Sequence, residues 1–272
     1  MTVWESPDKT EKIDALCRLV PKRCFGIKKL EFLCREYDNT FSTAELECGP
    51  LPDRHFRSFF LYYIRERLAG ELYIFIDENN NAQITALVDP VWRRRGIFKQ
   101  LLKAARSELK KYRIKTVYIV CEPDCRSAAD VCTHMGLKYA YSDHFMSIIA
   151  SEASAVLQKT DISEVELSSV AAEGSKEEPA VILRSGDGKD IAVAHALLTD
   201  DKCACIYGVE VNEEYRRRGF GRLVVLKLLE VLCEKDSDII AKLHVSSDNI
   251  PAMSLYQSLG FRSENQLDYY LL

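Results

Sequence analysis

The chain has 272 residues, 47% of them hydrophobic, enough for one large packed domain or two of ordinary size. Its net charge of −4 excludes the global basic field that drives nucleic-acid binding. No apolar run reaches the length of a membrane span, and Met1–Lys12 carries no apolar leader, so the ten scattered cysteines read as reduced thiols of a cytoplasmic protein.

In chain order, Glu11–Leu19 reads as helical, and Gly26–Tyr37 as helical or mixed. Ser58–Arg65 is a predicted strand, Ala69-Gly70 a turn, Glu71–Asp77 a second strand and Gln83–Val88 a third. Phe98, Leu101, Leu102, Ala105, Leu109 and Tyr112 recur at helical spacing. A strand over Thr116–Cys121 and a short helix over Ser127–Met135 follow, with Gly136 placed as its C-terminal cap.

The same series then returns. Ala171–Pro179 is charged and reads as a surface loop. Ala180–Arg184, Ile191–Leu198 and Cys203–Val211 are predicted strands, separated by turns at Ser185–Gly188 and Thr199–Lys202. Leu223–Leu232 is apolar nearly all round, a deeply packed helix. A strand over Ile239–Val245 and a helix over Ile250–Leu259 close the series, ending at Gly260. In each copy, strand, helix and strand form a βαβ unit, which requires those two strands to be parallel.

The repeat is sharpest at one run. Val88-Asp89-Pro90-Val91-Trp92-Arg93-Arg94-Arg95-Gly96-Ile97-Phe98 is echoed by Val211-Asn212-Glu213-Glu214-Tyr215-Arg216-Arg217-Arg218-Gly219-Phe220-Gly221. Each run joins a strand to a helix. The leading amides of a helix lack intrahelical partners, and the dipole there is positive. A glycine turn lets the backbone approach a phosphate closely, and arginines add charge. Both runs therefore read as sites for a phosphorylated ligand. Cys121-x-x-x-Cys125 and Cys203-x-Cys205 have no second ligand pair at zinc spacing, so no metal is expected.

Arg216-Arg217-Arg218-Gly219-Phe220-Gly221, then Asn249, then Ala252-Met253-Ser254-Leu255-Tyr256-Gln257-Ser258-Leu259-Gly260-Phe261, resemble the GNAT superfamily of acetyl-CoA-dependent N-acyltransferases. The whole chain looks like a tandem member. The resemblance implies an α/β (α+β) class: two acyl-CoA N-acyltransferase folds, each a mixed, mostly antiparallel sheet flanked by helices. The first would span residues 1–148 and be degenerate. The second would span 149–272 and be catalytic.

The resemblance also implies the chemistry. Acetyl-CoA would lie where the third strand splays from the next. The backbone of Val209, Glu210 and Val211 would pair with pantetheine. Arg216, Arg217, Arg218, Gly219, Phe220, Gly221 and Arg222 would hold the pyrophosphate, and Asn249 would orient the pantetheine arm. An amine would attack the thioester directly, and Tyr256 would protonate the departing thiolate. The partners implied are acetyl-CoA and a small amine-bearing acceptor, with no nucleic acid or membrane, in a monomer or homodimer.

The general base stays open. The position where some family members carry a strand Glu is Cys205. Glu210, Tyr207, His195 and His244 are further candidates, as is a water chain. Glu210 points to the face opposite Val209 and Val211 unless a bulge intervenes.

The first copy departs from the pattern. Phe98 replaces the last small residue, Cys132 stands where Tyr256 does, and Cys125 where Asn249 does. Arg93–Phe98 either binds CoA without catalysis or shapes the acceptor site. A non-catalytic acyl-CoA-binding or regulatory protein is the alternative.

Overall fold

The computed structural model describes residues 11–41, 55–153, 167–199 and 202–272. They form two compact units, residues 1–141 with 267–272, and residues 142–266.

The first unit contains β1 (Glu11–Leu16), α1 (Pro21–Asp38), β2 (Phe59–Ile64), β3 (Arg67–Ile76), β4 (Asn81–Val88), α2 (Ile97–Leu109), β5 (Thr116–Cys121) and α3 (Arg126–His134). β1 to β4 form an antiparallel meander, and β4 and β5 run parallel across the α2 crossover. The second unit repeats this with β7 (Leu167–Gly174), β8 (Pro179–Ser185), β9 (Asp190–Thr199), β10 (Cys203–Val211), α4 (Phe220–Lys235), β11 (Ile240–Ser246) and α5 (Ile250–Ser258). β10 and β11 are its parallel pair.

The strands that follow the two short helices exchange. β6 (Lys138–Ile149) leaves the first copy and pairs antiparallel with β11. β12 (Arg262–Leu271) ends the second copy, and its Asp268–Leu271 pairs antiparallel with β5. The sequence places the boundary at 148/149; the compact units divide at Tyr141/Ser142, and the last six residues belong to the first unit. Hydrogen-bonded pairing, not sequence adjacency, decides where a strand belongs.

Three expectations need correcting. Glu11–Leu16 is a strand, not a helix; Ile13 and Ala15 pack on the first core while the chain pairs with β2. The β2–β3 turn falls at Arg65-Glu66, with Arg65 at φ 56°, not at Ala69-Gly70. Gly70 lies within β3, where a Cβ would come 2.8 Å from Ile97 Cγ2; its bareness admits α2 close to the strand. Residues 171–174, expected in a loop, belong to β7, a strand at the edge of the sheet that pairs antiparallel with β8.

α4 carries the second core. Phe220, Leu223, Val224, Val225, Leu226, Leu228, Leu229 and Leu232 are all buried, which leaves the helix only a narrow polar stripe at Lys227, Glu230 and Glu234. Among the described residues, no helix is long and apolar enough to cross a membrane.

One buried group in the first unit has a consequence for stability. Glu71 on β3 is 1% exposed, and its Oε1 has no partner. Burial, and then the nearby Glu31, push its pKa from 4.5 up to about 8. The folded value lies above the unfolded one. The stability tied to the protonated carboxyl is therefore complete below pH 4.5 and is lost as pH rises through about 8. The slope is about 1.4 kcal/mol per pH unit in that window. Urea denaturation at pH 5 and pH 9 should show wild type losing several kcal/mol more than Glu71→Gln between the two. Parallel losses in both proteins would place the charge of Glu71 elsewhere.

Candidate active site

The second unit opens where its parallel strands part. β10 and β11 pair only from Cys203↔Ile240 to Cys205↔Lys242, although they continue to Val211 and Ser246. Just beyond the last pair, β10 bulges. Tyr207 faces His195 and Glu210 faces Val193, with Gly208 at φ 58° between them. The bulge shifts the phase of the strand. Ala204 and Ile206 face the core before it, and Val209 and Val211 pack on the core after it. Glu210 therefore stays opposite Val209 and Val211, but it joins Cys205 and Tyr207 on the exposed face.

The arginine turn leads from β10 into α4. Asn212 caps a short turn of helix at Glu213–Tyr215, accepting from the Glu214 amide. Arg217 (φ 65°) and Gly219 (φ 86°) are both left-handed. No side chain caps α4, and its first helical bond runs from the Leu223 amide to the Gly219 carbonyl. The Phe220, Gly221 and Arg222 amides thus end the turn without intrahelical partners. A Cβ on Gly221 would sit 3.4 Å from both Val211 and Leu255, so a larger residue there would crowd β10 and α5.

The side chains of the run serve varied roles. Arg216 donates through Nε to the Val211 carbonyl at 3.0 Å and pairs with Glu213 at 3.2 Å, which fixes the strand end. Arg218 lies over the Tyr215 ring at 5.7 Å. Arg222 donates to the Ser258 Oγ at 2.7 Å and ties α4 to α5. Phe220 is buried. What this run offers an anion is chiefly backbone amide, with Arg217 exposed beside it.

α5 brings the other candidates. Asn249 caps it, its Oδ1 accepting from the Ala252 amide at 3.3 Å. Tyr256 is 8% exposed, with its ring edge-on to Phe261 at 5.6 Å. Its hydroxyl has no hydrogen-bond partner among the described residues. Burial raises its pKa, so at neutral pH it is a phenol able to donate.

The first unit shares the turn and the early end of strand pairing, but side chains bridge its opening. Arg94 (φ 64°) and Gly96 (φ 78°) repeat the left-handed pair, and β4 and β5 likewise pair only from Asn81↔Thr116 to Ile84↔Ile119. β4 has no bulge against β3. Arg93 donates to the Val88 carbonyl at 2.9 Å and reaches Ser127 Oγ, at the start of α3, at 3.2 Å. Asp38, at the end of α1, takes the same guanidinium with both oxygens at 2.7 and 2.6 Å and accepts from Ser127 at 3.3 Å. The Phe41 amide donates to the buried Glu122 at 2.9 Å. The end of α1 thus clamps the β4 terminus to the start of α3. Cys132, the counterpart of Tyr256, is buried, and Cys125 gives α3 no side-chain cap. Among the described residues, no cluster of three or more His, Cys, Asp or Glu could hold a metal ion.

This doubled architecture of parallel pair, arginine turn and uncapped helix is that of an acyltransferase. The acetyltransferase (GNAT) family model matches residues 15–137 and again 148–261, and the chain belongs to that family. It is similar to a mycothiol acetyltransferase of Clavibacter sepedonicus, 26% identical over 216 residues, or 65% of this chain and 68% of that protein. A GCN5-related N-acetyltransferase from Sphaerobacter thermophilus has a similar fold, with TM-score 0.71 at 14% identity, covering 98% of this chain and 96% of that one. A tandem GNAT protein from the clavulanic acid biosynthesis pathway has TM-score 0.69 at 15% identity, covering 96% and 98%.

Proposed function

We propose that the protein is an acetyl-CoA-dependent N-acetyltransferase that acts through its second unit on a primary amine of a small molecule, amino acid or peptide. The observation that carries this reading is the asymmetry between two equivalent turns. Both helices start without a side-chain cap, but among the described residues β10 bulges beside its opening, whereas the β4–β5 opening has no bulge and is bridged by Arg93, Asp38 and Ser127. Val209–Val211 would pair with the pantetheine arm, and the amides from Arg217 to Arg222 would take the pyrophosphate. Asn249 would orient the arm. Acetyl rather than a longer acyl group is favoured by a curated relative named for acetyl transfer.

Tyr256 would supply the proton that the CoA thiolate takes as the C–S bond breaks. The test pairs calorimetry with turnover. Wild type should bind one acetyl-CoA, and Tyr256→Phe should bind it equally. Tyr256→Phe should turn over at least about 100-fold more slowly. Equal turnover in the two proteins would remove Tyr256 from the chemistry.

A further inference from the structure

The proton of the acceptor amine has no assigned destination, and the outer face of the second unit bears on where it goes. The last β10–β11 pair is Cys205↔Lys242. Two residues further on, each strand presents one side chain to the same outer face, Tyr207 from β10 and His244 from β11. The alternating residues Ile206 and Leu243 are buried on the other face. Tyr207 and His244 therefore stand on the two banks of the opening where the strands part.

Each bank is built. Tyr207 donates its hydroxyl to Glu178 at 3.0 Å, and its ring stacks on His195 at 5.3 Å and 22°. A Cβ on Gly208 would approach His195 Cδ2 to 3.1 Å, so the glycine of the bulge admits the imidazole beside the strand. On the other bank, the His244 ring lies 4.1 Å from Phe145. The imidazole of His244 has no hydrogen-bond partner among the described residues. Partial loss of hydration lowers its pKa against the opposing pull of Asp143, which keeps it neutral near pH 7.

We infer that His244 is the general base and that Tyr207, with Glu178, binds the acceptor's amino group across the opening from it. This rests on the second unit being the acetyl-transfer unit. The acceptor class follows from the face. An aromatic shelf beside the Glu178 and Glu210 carboxylates suits a cationic primary amine. In the step, the ammonium N–H proton passes to the free imidazole nitrogen of His244. The released lone pair forms the C–N bond at the thioester carbonyl. The C–S bond then breaks and the thiolate takes the Tyr256 proton, while the second proton that the nitrogen loses on becoming an amide passes through solvent to restore the Tyr256 phenol. His244 returns its proton to water. His195 is a positioning residue for the Tyr207 ring.

The experiment uses the full chain with saturating acetyl-CoA and a panel of amino acids, amino-acid amides and polyamines, with product followed by mass spectrometry. His244→Gln should lower kcat at least about 100-fold, with the amine KM within about twofold, and added imidazole should restore part of the rate. Tyr207→Phe, which removes only a hydroxyl, should instead raise the amine KM. Acetyl-CoA affinity should be unchanged in both. His244→Gln with kcat within about threefold of wild type, or a loss that follows weakened acetyl-CoA binding, would overturn the assignment. Wild type that binds acetyl-CoA but acetylates no amine in the panel would also overturn it, leaving the cofactor site standing. Wild type that binds no acetyl-CoA would overturn the reading beneath it.

Discussion

Gly219→Glu is expected to abolish acetyl-CoA binding, while Gly96→Glu leaves it intact. Both glycines precede a helix in the left-handed region, at φ 86° and φ 78°, and a Cβ on either meets nothing within 4 Å. The backbone strain of the two substitutions is therefore alike, about 1–2 kcal/mol each. What differs is the use of the turn. At Gly219 the new carboxylate would satisfy the free amides of α4 itself and stand where a pyrophosphate has to lie. Like charges forced together cost several kcal/mol, so affinity should fall at least about 100-fold. Calorimetry on the three proteins decides the matter. Binding lost only with Gly96→Glu would move the cofactor to the first unit. Binding kept by both variants would mean that neither turn holds the phosphates.

Asp38→Ala should destabilise the first unit by about 3 kcal/mol, whereas Glu213→Ala should change the second by less than about 1 kcal/mol. The two carboxylates hold equivalent arginines, Arg93 and Arg216, each of which also grips the carbonyl at its strand end. Burial separates them. The Arg93 and Asp38 side chains are 17% and 9% exposed, those of Arg216 and Glu213 60% and 83%. Removing Asp38 leaves a guanidinium enclosed without its counter-charge; removing Glu213 returns Arg216 to water. Urea denaturation of both variants, of Arg93→Ala and of the Asp38→Ala/Arg93→Ala double variant, the last three read with wild type as a double-mutant cycle, measures the difference. Equal small effects would show that the clamp does not hold the first unit together. Acetyl-CoA binding should survive Asp38→Ala, since the clamp lies in the unit without the proposed site.

Residues whose role is local were readable without a structure. The left-handed glycines, the uncapped helix starts, the parallel pairs and the apolar α4 all follow from spacing within a few turns of chain. Glycine was the less certain guide. Gly70 resembles a turn residue, yet it is a gap made for Ile97 of a helix some distance along the chain. β1 was misread because Glu, Lys, Ala and Leu favour helix when no partner is known, and β2 supplies the partner. That Tyr207 and Glu210 share one outward face could not be read, since a bulge at Gly208 changes which residues alternate.

By itself, the sequence determined that the chain is a duplicated βαβ module with two arginine-glycine turns, because helix period, strand alternation and turn chemistry are properties of short segments. Only the tertiary structure decided that β6 and β12 exchange units, that Asp38 holds Arg93, and that Tyr207 and His244 share an open face. Each of these depends on pairing between residues far apart in the chain. Such pairing is set by which hydrogen bonds and buried surfaces the whole fold can satisfy at once.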